Sequence, residues 1–204
     1  MRLIISSILA GIFIGIGATA YLLCDNRYIG ALLFAVGLFA IKRYNLALFT
    51  GRVPYALEIG LASVFLLPTT LWGNITGTFV AALLLRCTRL SGALVPRAAA
   101  LVETKAADDW WSLFILAALC NVMIYLATRK TGEPLKDTVA LLFGVTVFVL
   151  CGFEHCVADC FYWLMSDTPG GAWLIPAIAG NTVGGIAVHE AVKFANGEGE
   201  ANDG

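Results

Sequence analysis

The sequence predicts an all-α membrane protein of six transmembrane helices, built as an inverted 3+3 repeat whose second and fifth helices are broken. Three observations carry this prediction. Of 204 residues, 59% are hydrophobic and only 13% charged, with a mean hydropathy of +0.84, whereas a soluble domain is about 25% charged. The uncharged runs approach the ~20 residues that a helix needs to cross ~30 Å of hydrocarbon. A five-residue element also recurs 107 residues apart. The composition disfavours a soluble enzyme or a disordered chain, and a net charge of −1 gives no electrostatic grip on nucleic acid.

Charge punctuation sets the spans in order. Leu3–Leu23 has 21 uncharged residues, longer than the about 7–15 of a signal-peptide core, so it is expected to be retained as the first membrane helix. The second span starts at Tyr28 and stays apolar only to Ile41. Lys42-Arg43-Tyr44-Asn45 then interrupts it, and it resumes as Leu46 to Gly51. A segment too short to cross, then polar residues, then more apolar residues is the pattern of a broken membrane helix. Between Arg52 and Arg86 the only charge is Glu58, which leaves room for a short return piece (Val53–Gly60), a bend near Pro68 and a third span ending at Leu85. Arg86 to Asp109 carries seven charges and reads as an extramembrane connection with an interfacial helix around Ala98–Leu101. The fourth span is Trp110–Thr128, opened by two tryptophans suited to the headgroup level. The fifth runs Thr138–Phe153, meets Glu154-His155 at membrane depth and continues to Trp163. The sixth is Ala172–His189.

Gly73-Asn74-Ile75-Thr76-Gly77 in span three matches Gly180-Asn181-Thr182-Val183-Gly184 in span six, and the breaks at Thr50 and His155 lie at a similar offset. Three spans per half is an odd number, so the halves face opposite ways, as in transport proteins whose sites lie where broken helices meet. The chain is thus one transmembrane channel domain, 1–193. Its halves are about 1–90 and 108–193, joined by the polar segment 86–109, with a disordered acidic tail at 194–204. Glycines four apart let helices approach closely, and Asn74 and Asn181 are placed to bond backbone groups freed at the breaks. Lys and Arg divide six against five between the two sides, so charge does not orient the chain.

Gly152-Phe153-Glu154-His155-Cys156-Val157-Ala158-Asp159 resembles the fifth-helix motif of the formate/nitrite transporter family, Gly-Phe-Glu-His followed by Ala-Asn. Leu48-Phe49-Thr50-Gly51 resembles its second-helix loop, both Gly-Asn-x-x-Gly elements fall where that family has them, and Asn121 sits at its fourth-helix Asn position. The resemblance covers residues 7 to 190, with little of the family's N-terminal cytoplasmic helix, as in a short member. It implies an aquaporin-like fold, a homo-pentamer with one pore per protomer, and a multi-pass location in the bacterial inner (plasma) membrane. It further implies passage of small monovalent anions such as formate, nitrite or hydrosulfide, together with protons. By motif position, Leu48 and Phe148 line hydrophobic constrictions, Phe34 and Leu38 narrow the pore further, Phe49 belongs to the pore loop, His155 is the central pore histidine, and Thr50 is its partner.

The residue chemistry agrees. A bare anion in a low-dielectric constriction carries a penalty of several kcal/mol even after relaxation. A proton from or through His155, with a reference pKa of ~6.5, would neutralise it. Glu154 is expected to satisfy backbone donors at the break, and His189 to be interfacial. Three departures from the family are visible. Asp159 stands where an amide is usual. Asp137 stands where the family has a lysine, so that adjacent Lys136 is the residue carried over as a pore candidate. Lys42-Arg43 precede a loop that is usually uncharged, and are expected to face a water-filled vestibule or a protomer interface. No cofactor is expected. The cysteines lack tight zinc spacing, so no metal is expected either. Two other readings stay open: an aquaporin-like pore for neutral solutes, and a membrane thiol or metal enzyme using Cys151, His155, Cys156 and Cys160.

Overall fold

The computed structural model describes residues 1–197, and these contain helices and no strands. In chain order the α-helices are α1 (Arg2–Leu23), α2 (Arg27–Arg43), α3 (Phe49–Arg52), α4 (Ala56–Ile59), α5 (Ser63–Arg86), α6 (Ser91–Ala106), α7 (Trp110–Thr128), α8 (Pro134–Leu150), α9 (Cys156–Met165) and α10 (Leu174–Ala195). Short 3-10 turns at Val53–Tyr55 and Gly60–Ala62 flank α4.

α1 and α7 are long and apolar enough to cross alone. α2 and α8 have 17 residues each, about 25 Å at 1.5 Å per residue, and stop short of a full crossing. Extended segments follow each, and the crossings are completed by α3 and α9. The second and fifth helices are therefore the broken pair. Helix starts are written locally. Asn26 Oδ1 accepts from the Tyr28 and Ile29 amides, and Asp109 Oδ1 accepts from those of Trp111 and Ser112, so α7 begins at the expected residue. Helix ends are held by cations from other elements, which suits the negative pole there. Arg27 donates to Leu150 O, Arg97 to Leu22 O, and Arg86 to Met165 O and Ser166 O.

Pairing between elements repeats across the halves. α1 packs on α5 and α2 as α7 packs on α10 and α8, while α9 lies against α5 and the Val53–Tyr55 turn lies against α10. Each short helix is thus inserted into the opposite half. The α1–α5 and α7–α10 crossings depend on missing side chains: a Cβ on Gly77 would strike Ile8 O, and one on Gly184 would strike Ala118 O. Outward faces carry Ile4, Leu9, Trp72, Phe79 and Phe143, the apolar surface that a bilayer or another subunit covers.

Several boundaries differ from expectation. α2 runs on through Lys42 and Arg43, because the Lys42 ammonium reaches the backbone oxygens of Ala127 and Asp137 instead of leaving the helix. The interfacial helix is α6, 16 residues long, much longer than the four-residue piece expected. α10 extends to Ala195, past His189 and into the segment expected as tail; the rest of that expectation, 198–204, lies outside the described residues.

Candidate functional site

The two breaks are built alike. At the first, Asn74 Oδ1 accepts from Phe49 N (2.8 Å), and Nδ2 donates to Ala47 O and Ser7 O. At the second, Asn181 Oδ1 accepts from Cys156 N (2.9 Å), and Nδ2 donates to Glu154 O and Ala117 O. Each asparagine satisfies one donor and two acceptors in a place where water cannot. This pairing makes Leu48, the N-cap position of α3, the counterpart of His155, the N-cap position of α9. The backbone is duplicated and the side chains are not.

His155 is 1% exposed. Its Nδ1 accepts from Ala158 N at 3.2 Å, capping α9, and its Nε2 lies 2.9 Å from Thr50 Oγ1. An amide donating to Nδ1 leaves that atom without a proton, so the neutral ring carries its hydrogen on Nε2 and donates it to Thr50. The ring stacks on Phe148 (centroids 5.6 Å, 18°), and Phe148 meets Phe34 edge-on at 5.7 Å. Asn121 Nδ2 donates to Thr50 O at 3.2 Å, holding the loop from behind.

Two cavities flank this pair. One, of about 150 Å³, is lined by Leu38, Leu48, Lys42, Arg52 and Lys130; we call it the Arg52 mouth. The other, of about 50 Å³, is lined by Phe34, Phe148, His155, Lys105 and Asp159; we call it the Asp159 mouth. Leu38 and Phe34 lie one turn apart on α2, so α2 runs alongside both cavities. Arg52 keeps its charge at any working pH.

In the Asp159 mouth, Lys105 of α6 enters from the side. Its Nζ is 2.6 Å from Glu154 Oε2 and 3.1 Å from Asp159 Oδ1, with both carboxylates nearly inaccessible. Burial opposes the ammonium charge, but Asp159 and Glu154 outweigh it and hold Lys105 above its ordinary range.

The structure brings together His155, Thr50, Asn121, Leu48, Phe148, Phe34 and Leu38, with Asn74 and Asn181 as the loop supports. It does not bring Lys136, which is exposed and paired with Glu133 at 2.6 Å. Phe49 lines neither cavity, and its amide is held by Asn74. Glu154 departs from its expected role: its carboxylate pairs with Lys105, and Asn181 takes the freed backbone amide. His189 is 5% exposed and bonds Glu58 and Tyr125. Lys105 was missed as a site residue. Its signal was present, since two carboxylates at membrane depth call for a counter-charge. Cys120, Cys156 and Cys160 are buried and Cys151 is exposed, and no cluster able to hold a metal occurs among the described residues.

Against known proteins, residues 1–195 match the formate/nitrite transporter family. The chain belongs to that family. It is 29% identical to the uncharacterized transporter YwcJ of Bacillus subtilis (strain 168), covering 92% of this chain and 86% of YwcJ. It is 27% identical to the formate channel FocB of Escherichia coli (strain K12), covering 88% and 81%. Among solved structures, a chain described as an FNT family ion channel superposes with a TM-score of 0.82 at 24% identity, covering 95% of this chain and 90% of the other. A pentameric formate channel with formate bound gives 0.83 at 23% identity, covering 97% of each. The six-helix fold of the family is therefore the fold of this chain. The formate/nitrite transporter family consists of channels and transporters, so the protein is not an enzyme, and the thiol or metal enzyme reading is set aside.

Proposed function

We propose that this member of the formate/nitrite transporter family passes small monovalent weak acids of the formate, nitrite or hydrosulfide type across the membrane, one pore per protomer of a homo-pentamer. A proton is exchanged at His155 between the Leu48 and Phe148 constrictions. The observation that carries this reading is the Thr50–His155 pair, buried between two cavities and flanked by apolar collars. With Nε2–H donated to Thr50 Oγ1, the threonine hydroxyl proton is left to donate to an arriving anion. Lys42, Arg52 and Lys130 attract anions at the wide mouth. In the dry waist a charge is far costlier than in water, so the permeant species there is the neutral acid. The acid neutralised at His155 passes the next collar and ionises beyond it.

The test is formate uptake into liposomes holding the purified protein, from mildly acidic to neutral pH, with nitrite and hydrosulfide as competitors. Uptake rising toward acid, with competition, and a changed pH profile in His155→Phe are the expected results. Uptake of neutral solutes that ignores pH would replace this reading with the neutral-solute pore.

A further inference from the structure

The Asp159 mouth places two carboxyl groups against one ammonium. Lys105 Nζ contacts Glu154 at Oε2 and Asp159 at Oδ1, while the second oxygen of Asp159 is buried without a hydrogen-bond partner. Because one ammonium sits 2.6 Å from Glu154 Oε2 and 3.1 Å from Asp159 Oδ1, the two carboxyl groups crowd the same buried charge. Two ionised carboxylates cannot bond one another, because neither has a hydrogen to give. With both ionised, the group carries a net charge of −1 inside a cavity of about 50 Å³. With one proton on the pair, the group is neutral. Facing Asp159 are Lys105 from α6, Glu154 and His155 from the break, Cys120 from α7, and Cys156, Cys160 and Tyr162 from α9 itself, with Tyr21 of α1 lining the same cavity. Lys105 is the only ammonium or guanidinium in that set.

We propose that Asp159 shares one exchangeable proton with Glu154, and that this carboxyl pair is the proton donor and acceptor for the weak acid at the Asp159 mouth. The transfer is a plain exchange. The pair's O–H bond breaks as the anion's O–H, or S–H, bond forms, leaving the pair doubly ionised and held by Lys105. A proton from the water at that mouth restores it. Acid entering from this mouth reaches the waist already neutral, and the exchange at His155 serves anions arriving from the Arg52 mouth. The geometry explains why an acid can stand at a position where the family's motif has an amide: paired with Glu154, it adds one ionisable hydrogen without adding a permanent charge. The transport step rests on the weak-acid reading above, whereas the shared proton does not.

The test has two arms. Infrared difference spectra of the reconstituted wild-type protein, with no anion present, should show a protonated-carboxyl band that shifts in heavy water, is lost on alkalinisation and is absent in Asp159→Asn. That variant is isosteric and keeps an oxygen for Lys105. In flux assays, Asp159→Asn should slow formate entry from this mouth about a hundredfold, the low end of losses on removing a positioned proton donor, and should flatten its pH dependence. A wild-type spectrum with no such band overturns the proposal. So does a band that survives Asp159→Asn and vanishes in Glu154→Gln, and so does an unchanged pH profile in Asp159→Asn. Absence of any formate flux in the wild type, with the band present, would sink the weak-acid reading and leave the shared proton standing.

Discussion

Replacing Asn181 with alanine removes three hydrogen bonds at once and leaves Cys156 N and Glu154 O without their partner in a fully buried place, while Ala117 O keeps its bond within α7. Orphaned buried groups cost about 1–3 kcal/mol each in soluble proteins, while interhelical hydrogen bonds in a membrane average about 0.6 kcal/mol. The loss therefore lies between about 2 and 7 kcal/mol. Because the bonded groups flank His155, the damage falls on the loop that presents the ring. Thr182→Ala is the matched control: Thr182 is on the same helix, and its hydroxyl bonds only within its own turn, to Ile178 O. Unfolding in mixed micelles, followed by tryptophan fluorescence, should show Asn181→Ala less stable than Thr182→Ala by at least about 2 kcal/mol. Asn181→Asp, which retains the acceptor, should fall between them. Equal stability of the alanine variants would refute the view that this side chain holds the break together.

Other expectations follow from the same geometry. Gly184→Ala drives a methyl into the α7 backbone and should cost about 1–3 kcal/mol or more through overpacking, whereas Gly92→Ala, with open space around it, should stabilise α6 by about 0.5–1 kcal/mol; thermal unfolding in detergent compares them. Lys105→Ala leaves Glu154 and Asp159 without their cation and should lose about 3–5 kcal/mol near neutral pH. Removing the cation leaves excess negative charge, so the deficit should shrink as acid protonates the carboxyls, and a deficit constant with pH would contradict the ion triad. Thr50→Val deletes the partner of His155 Nε2 and should slow formate flux about tenfold or more, with Thr50→Ser retaining most of it; liposome uptake decides. Phe148→Ala should admit anions larger than formate, read as acetate or lactate uptake that the wild type resists.

Much of the architecture was legible because a bilayer leaves few options. Uncharged runs had to be helices, and runs too short to cross had to be broken. Asp109 before Trp110-Trp111 marked the start of α7 to the residue. The repeated Gly-Asn pairs indicated both the duplication and the task of the asparagines. Less legible was anything that depends on reach. Lys105 reads as a solvated charge in a polar connection, yet α6 packs against α9 and Lys105 lines the second cavity. Lys136 reads as the natural stand-in for a displaced lysine, yet it points outward beside Glu133, while Lys42, on another helix, bonds the backbone of Asp137. Period and composition give a residue's element and depth, but not which neighbour a long side chain will find.

The equivalence of Leu48 and His155 has a consequence for direction. Two crossings of one ancestral pattern give a backbone that looks the same from either face of the membrane, yet one turn ends in an aliphatic plug and the other in a titratable ring. The wide approach carries arginine and lysines, and the narrow one a lysine outnumbered by acids. A traveller from one side meets positive charge, then grease, then a base; from the other it meets the same stations in reverse. At equal pH the two journeys must balance at equilibrium, as for any passive conduit. Under the weak-acid pathway proposed above, a pH difference would let their speeds differ, and the asymmetry would lie in the side chains.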